Sequence, residues 1–127
     1  MNSRVTAATP RAVGRDLALQ LSSGLYSGLP VIDGKGKVLG VVTEFDLLNT
    51  IRNGRDLQTI KAEDIMTQPA ICAHEDEELY SVITKMTEKN VIRIPVVGED
   101  GKLVGVIARA DVLSHMIEPG FVTIVGD

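Results

Sequence analysis

Residues 28–51 read GLPVIDGKGKVLGVVTEFDLLNTI and residues 93–116 read RIPVVGEDGKLVGVIARADVLSHM; the second stretch lies over the first without a gap at a constant offset of 65. Eight of the 24 pairs are identical, among them Pro30/Pro95, Gly40/Gly105 and Asp46/Asp111, and seven more exchange one aliphatic residue, or methionine, for another. Two copies are too few for a stacked array, which uses shorter units and at least about three of them. They predict two like subdomains packed together, with the clefts between them as the places for function. Within each copy, short apolar runs (29–32 and 38–42; 94–97 and 103–107) flank a Gly-rich turn, which predicts a β-hairpin with both strands buried on both faces.

Working outward, Leu79, Val82, Ile83 and Met86 recur at helical spacing, with acidic residues 75–78 before them and Lys85 and Lys89 after. Val13, Leu17, Ala18 and Leu21 repeat that pattern in the first copy, with Gly24 as the stop. Brief β-prone stretches, 5–8 and 70–73, precede these helices, and a second helix follows each hairpin, over 44–52 and 109–117. Each copy therefore reads β-α-β-β-α, an α/β (α+β) fold. The expected division is a first repeat over 1–54, a polar linker over 55–69 with a helical turn at 62–66, a second repeat over 70–118 and an extension over 119–127 that could add a strand.

Composition narrows the function. Among 127 residues the chain carries a net charge of −4, 3% aromatics and no tryptophan. That argues against a nucleic-acid partner, which calls for a basic footprint and stacking platforms. No apolar run approaches a membrane span and no signal peptide is visible, so a membrane is not an expected partner. The single cysteine, Cys72, suits a reducing cytoplasm. It sits in an apolar stretch and reads as core rather than as a reactive thiol. His74 and His115 lack ligands at metal spacing, so no metal site is expected. No base stands beside a nucleophile, so an enzyme is not expected either.

The polar signal lies where hairpin turns into helix: Thr43-Glu44-Phe45-Asp46 in the first copy and Ala108-Arg109-Ala110-Asp111 in the second. A helix N-terminus seats a phosphate, a threonine adds a hydroxyl, and an acid in the first turn can accept from ribose hydroxyls. A capping box competes with that reading, with Asp46 in the place of the usual Glu or Gln. Ala108 has no hydroxyl to cap with, yet Asp111 is present, which favours a ligand role for the two acids.

These residues resemble the cystathionine-β-synthase (CBS) domain family, whose tandem pair is called a Bateman module. The likeness rests on Pro-Val-Val/Ile followed by a Gly turn and Lys, on Gly40-Val41-Val42-Thr43-Glu44-Phe45-Asp46, and on Asp64-Ile65-Met66-Thr67 leading into the second copy. It implies two repeats about a pseudo-twofold axis, and clefts that hold AMP, ADP, ATP, S-adenosylmethionine or a related adenosyl ligand as regulator, with no required cofactor. It also implies a disc-shaped homodimer and a regulated partner protein. Carried over by position, Asp46 and Asp111 would take the ribose and Thr43 the phosphate. The base would lie among Val5, Thr6, Leu29 and Pro30 at one site, and among Ala70, Ile71, Ile94 and Pro95 at the other. With Thr67, Arg93 and Arg109 assigned beside Asp111, the second site is expected to bind better, while Glu44 disfavours polyphosphate at the first. The competing expectation is a structural module with empty clefts, used for dimerisation or for holding a partner protein.

Overall fold

A computed structural model describes residues 6–23 and 28–116. Its elements run α1 (Gly14–Ser22), β1 (Gly28–Ile32), β2 (Val38–Thr43), α2 (Glu44–Arg52), α3 (Ala62–Ile65), β3 (Ala73–His74), α4 (Leu79–Lys89), β4 (Arg93–Val97), β5 (Leu103–Ala108) and α5 (Arg109–Met116). Both hairpins form as expected: β1 pairs antiparallel with β2, and β4 with β5. A parallel neighbour joins each. In the second repeat this is β3, with Ala73 against Val96. In the first repeat Ala8 makes the corresponding bridge to Val31, held by Ala8 N–H to Pro30 O at 2.8 Å and Ile32 N–H to Ala8 O at 2.9 Å. The α/β repeat thus recurs in space as it does in sequence.

The helices start where local chemistry lets them. Thr43 and Asp46 close a capping box on α2, and α2 spans the expected residues because that cap and the periodic apolar face agree. At α1, Val13 is the residue before the helix rather than its first apolar position, bridging instead to Lys61. Gly14 is needed there, because a Cβ would lie 2.6 Å from Ile60 Cγ2 and 3.0 Å from Leu57 O. The acidic run 75–78 precedes α4, and only Glu77 reaches back over it. Its carboxylate takes hydrogen bonds from His74 N–H, Ser81 Oγ and Lys85 Nζ. Burial alone would raise the Glu77 pKa, but those three donors outweigh it and hold the group down at about 2.

Two cores form, one per repeat. Leu17, Leu21, Leu29, Val31, Val42 and Leu47 fill the first; Ala73, Val82, Met86, Ile94 and Val112 fill the second. Each such aliphatic side chain contributes about 1.5–3 kcal/mol on burial. Residues between the repeats do not hang free, since Ile60 is 3% exposed and Ala62 is fully buried. Two expectations are corrected. β1 and β4 are buried throughout their centres, but β2 is buried at the alternate positions Gly40 and Val42 and β5 only at Gly105, so neither second strand is buried on both faces. Residues 70–72 are not strand: the Cys72 carbonyl accepts from Lys85 Nζ at 2.8 Å instead of from a neighbouring strand. The suggested strand in 119–127, the stop at Gly24 and the start of the stretch 5–8 lie outside the described residues.

The repeats meet through backbone. At the hairpin tips Lys37 bridges Lys102, with Val38 N–H donating to Gly101 O at 3.2 Å and Leu103 N–H to Gly36 O at 2.9 Å. Farther along β2, Val41 and Thr67 exchange two hydrogen bonds, of 3.1 and 2.9 Å. Gly40 makes that approach possible, because a Cβ there would meet Thr67 O at 2.7 Å.

Candidate functional site

Between the hairpins lies a cavity of about 530 Å³. Its middle is built from symmetry-equivalent residues, Pro30 with Pro95, Val41 with Val106, and Gly28 with Arg93. Outside this pseudo-symmetric middle the walls differ. One is the start of α2, represented by Thr43 and Phe45; the other is Thr67 and Pro69 at the end of the linker, then Ala70 and Ile71 of the second repeat together with the turn 89–92 after α4. Asn90 shapes that turn by adopting a left-handed backbone, φ 50°. Apolar walls with a few polar groups at the edges suit a small organic ligand, and the volume falls within the range of about 300–1,000 Å³ usual for such sites.

The polar cluster is centred on Asp46. Thr43 N–H donates to Asp46 Oδ2 at 2.8 Å and Thr43 Oγ1 does so at 3.1 Å, while Asp46 N–H returns a bond to Thr43 Oγ1 at 3.3 Å. Thr67 Oγ1 then donates to Asp46 Oδ1 at 3.2 Å across the repeat boundary. At the other helix start, Ala108 N–H donates to Asp111 Oδ2 at 2.8 Å, and Oδ1 has no hydrogen bond among the described residues. Asp111 therefore keeps half of a capping box without any hydroxyl at Ala108. Sequence reasoning had taken that missing hydroxyl as a sign against a reciprocal cap; the half that needs no hydroxyl, Ala108 N–H to the Asp111 carboxylate, forms, and residue 108 offers no side-chain acceptor for the other.

The grouping of the sequence-derived residues is also corrected. Thr67, Ala70, Ile71, Arg93 and Pro95 were assigned with Asp111, yet they line the cavity that Thr43 walls from the first repeat, and Thr67 bonds Asp46. The cavity is thus walled by Thr43 and Phe45 from the first repeat and by Ala70, Ile71 and Arg93 from the second, while Asp46 does not line it and adjoins it only through its hydrogen bonds to Thr43 and Thr67. Pro30 reaches the same cavity. Leu29 and Ile94 do not, being 1% and 0% exposed, because neighbouring strand positions face opposite ways and these two point into the cores. Asp111, Arg109 and Thr6 are likewise absent from its lining; exposed Arg109 starts α5, and its N–H donates to Ile92 O at 3.0 Å. Val5 lies outside the described residues. Phe45, Lys89 and Asn90 were missed. Phe45 carried one signal, being the aromatic residue next to the acid, whereas the turn 89–92 reads in sequence only as the end of a helix.

Charge around the cavity is mixed, with Lys89 and Arg93 on one wall and Glu44 exposed beside the other. Cys72 stands behind it, and burial pushes its thiol pKa up although nearby Lys85 opposes the shift. That is the behaviour of a packing residue. No group of His, Cys, Asp or Glu that could hold a metal ion occurs among the described residues, and none of their helices is long and apolar enough to cross a membrane.

Repeated β-α-β-β-α units with a cleft between their hairpins define a tandem two-repeat module. The chain belongs to the CBS domain family, which matches residues 1–53 and 62–118. CBS domains are non-catalytic regulatory modules. The chain is 33% identical over 93 residues, 73% of its length, to the inosine-5'-monophosphate dehydrogenase of Methanocaldococcus jannaschii, and spans 18% of that protein. More broadly, it spans from 16% to 58% of several curated relatives that it matches. Among solved structures it resembles CBSX2 in complex with AMP, with a TM-score of 0.78 and 28% identity, covering 89% of this chain and 87% of that one. It also resembles the CBS domain pair of protein MJ0100 in complex with 5'-methylthioadenosine and S-adenosyl-L-methionine, with a TM-score of 0.77 and 27% identity, covering 91% and 93%.

Proposed function

We propose that this chain is a regulatory module that binds an adenosyl ligand in this cleft and passes the signal on through the arrangement of its two repeats. The observation that carries this reading is one cavity lined by Thr43 from the first repeat, Thr67 from the segment between the repeats, and Arg93 and an apolar slot from the second, with Asp46 bonded to both threonines behind that wall. In the proposed pose the base lies against Pro30, Pro95, Ala70 and Ile71. Ribose hydroxyls donate to Asp46, and an anionic tail runs toward Thr43 and Arg93. Support comes from the two similar structures, which hold AMP, 5'-methylthioadenosine and S-adenosyl-L-methionine. Because the ligand touches both repeats, it binds their closed arrangement better, and that difference in affinity is what shifts the population.

Calorimetric titration with AMP, ADP, ATP and S-adenosylmethionine, with thermal shifts alongside, tests the proposal. Arg93→Ala and Asp46→Asn should each weaken binding about tenfold or more, as expected for losing a hydrogen bond to a charged group. Asp111→Asn should leave this site unchanged. No heat and no shift with any of the four at millimolar concentration would defeat the reading, and sensitivity to Asp111 rather than Asp46 would return the site to the grouping expected from the sequence.

A further inference from the structure

We propose that Lys85 is the positioning residue of the cleft's apolar wall, its ammonium fixing the Cys72 carbonyl and with it the placement of Ala70 and Ile71. The proposal rests on the reading of this cleft as the ligand site. Ala70 and Ile71 line the cavity and lead directly into Cys72. They belong to no strand, since β3 begins only at Ala73. β3 is also the outer strand of its three-stranded sheet, so no further strand lies beyond it to share the Cys72 carbonyl. A side chain takes that part: Lys85 Nζ donates to Cys72 O at 2.8 Å.

Lys85 sits within α4, and α4 runs on into Lys89 and the turn 89–92, which line the same cavity. One ammonium therefore ties two neighbouring parts of the wall to each other. Its own place is set by Glu77, whose Oε1 accepts from Nζ at 2.9 Å and from His74 N–H at 3.1 Å. Lys85 itself does not line the cavity, so it acts through the wall and not on the ligand. A wall held in its bound geometry beforehand spares the ligand the cost of ordering it, which is how a residue out of the ligand's reach raises affinity.

The first repeat supplies the comparison. At the offset of 65, Lys85 corresponds to Gln20, Glu77 to Ala12 and Cys72 to Ala7. The offset holds in space, because the bridge of Ala8 to Val31 repeats that of Ala73 to Val96. Leu17 and Leu21 enter their core from α1 as Val82 and Met86 enter theirs from α4. The first repeat thus gains the same parallel neighbour and the same helix packing with neither the ammonium nor the carboxylate. A brace that folding required would recur in both copies; this one occurs where residues 70 and 71 wall the described cleft.

Calorimetric titrations of the full chain with AMP and with 5'-methylthioadenosine, which carries no phosphate, test this. Lys85→Met keeps the apolar stem and removes the ammonium. It should weaken both ligands by about fivefold or more, and equally to within about twofold, because the wall and not a charge facing the ligand is lost. Lys85→Arg, which keeps donors for both oxygens, should bind within about threefold of wild type. Gln20→Met, at the exposed first-repeat counterpart, should bind as wild type does. Titrations well below each melting temperature keep every variant folded, so lower stability alone does not weaken binding. Methyl NMR of Ala70 and Ile71 reads the wall without ligand: both signals should move in Lys85→Met and stay in Gln20→Met. Unchanged affinity or unmoved methyl signals in Lys85→Met overturn the proposal. So does a loss confined to AMP, which would make Lys85 an electrostatic partner of the phosphate, or Lys85→Arg as weak as Lys85→Met. A wild type that binds neither ligand counts against the proposed function instead, and the methyl signals then decide by themselves whether Lys85 holds the wall.

Discussion

Replacing Gly40 by alanine tests how the two repeats are held together. A Cβ at this position falls 2.7 Å from Thr67 O, 2.9 Å from Met66 Sδ and 3.0 Å from Met66 Cγ. The methionine can swing aside, but the carbonyl is backbone and is itself bound by Val41 N–H at 3.1 Å. The segment carrying Thr67 must therefore lift away from β2 by about 0.5 Å or more, an overpacking that costs about 1–3 kcal/mol. The strained pair of Val41–Thr67 hydrogen bonds adds about 0.5–1.5 kcal/mol. Together these give about 2–4 kcal/mol, which for a chain of this size lowers the melting temperature by about 8–15 °C. Gly34→Ala is the matched control, since a Cβ there has nothing within 4 Å and its backbone is not left-handed. It should cost nothing, or stabilise slightly by restricting the unfolded chain. Thermal melts of the three proteins by circular dichroism decide the matter. Gly40→Ala melting within about 2 °C of wild type would refute the reasoning, because residues 66–67 could not then be pressed on β2 as described.

Glu77 sets a pH dependence at the start of α4. Its folded pKa of about 2 lies below the unfolded value of 4.5, so its stabilisation is full above pH 4.5 and fades as pH falls toward 2. The shift corresponds to about 3 kcal/mol at most, reduced to about 2–3 kcal/mol by solvent screening. In urea titrations Glu77→Gln should cost this much at pH 7 and much less at pH 3; an equal cost at both would show that the charge is not what stabilises the cluster. Asn90 holds a left-handed backbone, so Asn90→Ala should destabilise by about 1 kcal/mol while Asn90→Gly does not, as measured by the same titrations. Equal costs for the two would place the effect in the Asn90 side chain rather than in its backbone.

The hairpins and the helices after them were legible in the sequence because their signals are local. Residues 44–52 follow directly on a hairpin and open with a capping sequence at Thr43-Glu44-Phe45-Asp46, and the helix falls on the expected residues. Signals that depend on a distant neighbour were misread. Val13 has the right spacing for a helix, yet Lys61 draws it into a bridge. Residues 70–72 look like strand, but Lys85 takes the carbonyl a strand would share. For the same reason the apolar pattern identified Leu29 and Ile94 but could not tell which face of the strand each side chain would take. A one-residue alternation separates the buried Ile94 from Pro95 in the cleft.

How the candidate residues divide between the two clefts was least legible in the sequence, for a reason that lies in the repeat itself. Sequence comparison aligns each acid with the apolar residues of its own repeat, because the repeat is the unit that alignment sees. Packing two repeats face to face about a pseudo-twofold axis instead turns the helix start of one toward the slot of the other. The Thr67–Asp46 bond, between residues 21 apart, ties the segment that leads into the second repeat to the start of α2. Each repeat has its own core, and the first is completed by Ala62, Ile65 and Met66 from the segment that leads into the second repeat. What joins them is a small number of backbone bridges, at Lys37 with Lys102 and at Val41 with Thr67, and the polar cluster beside the second of these. A ligand in this cleft would touch the elements that hold the repeats together while leaving both cores intact, so its binding energy would act on their relative arrangement rather than on the fold of either one.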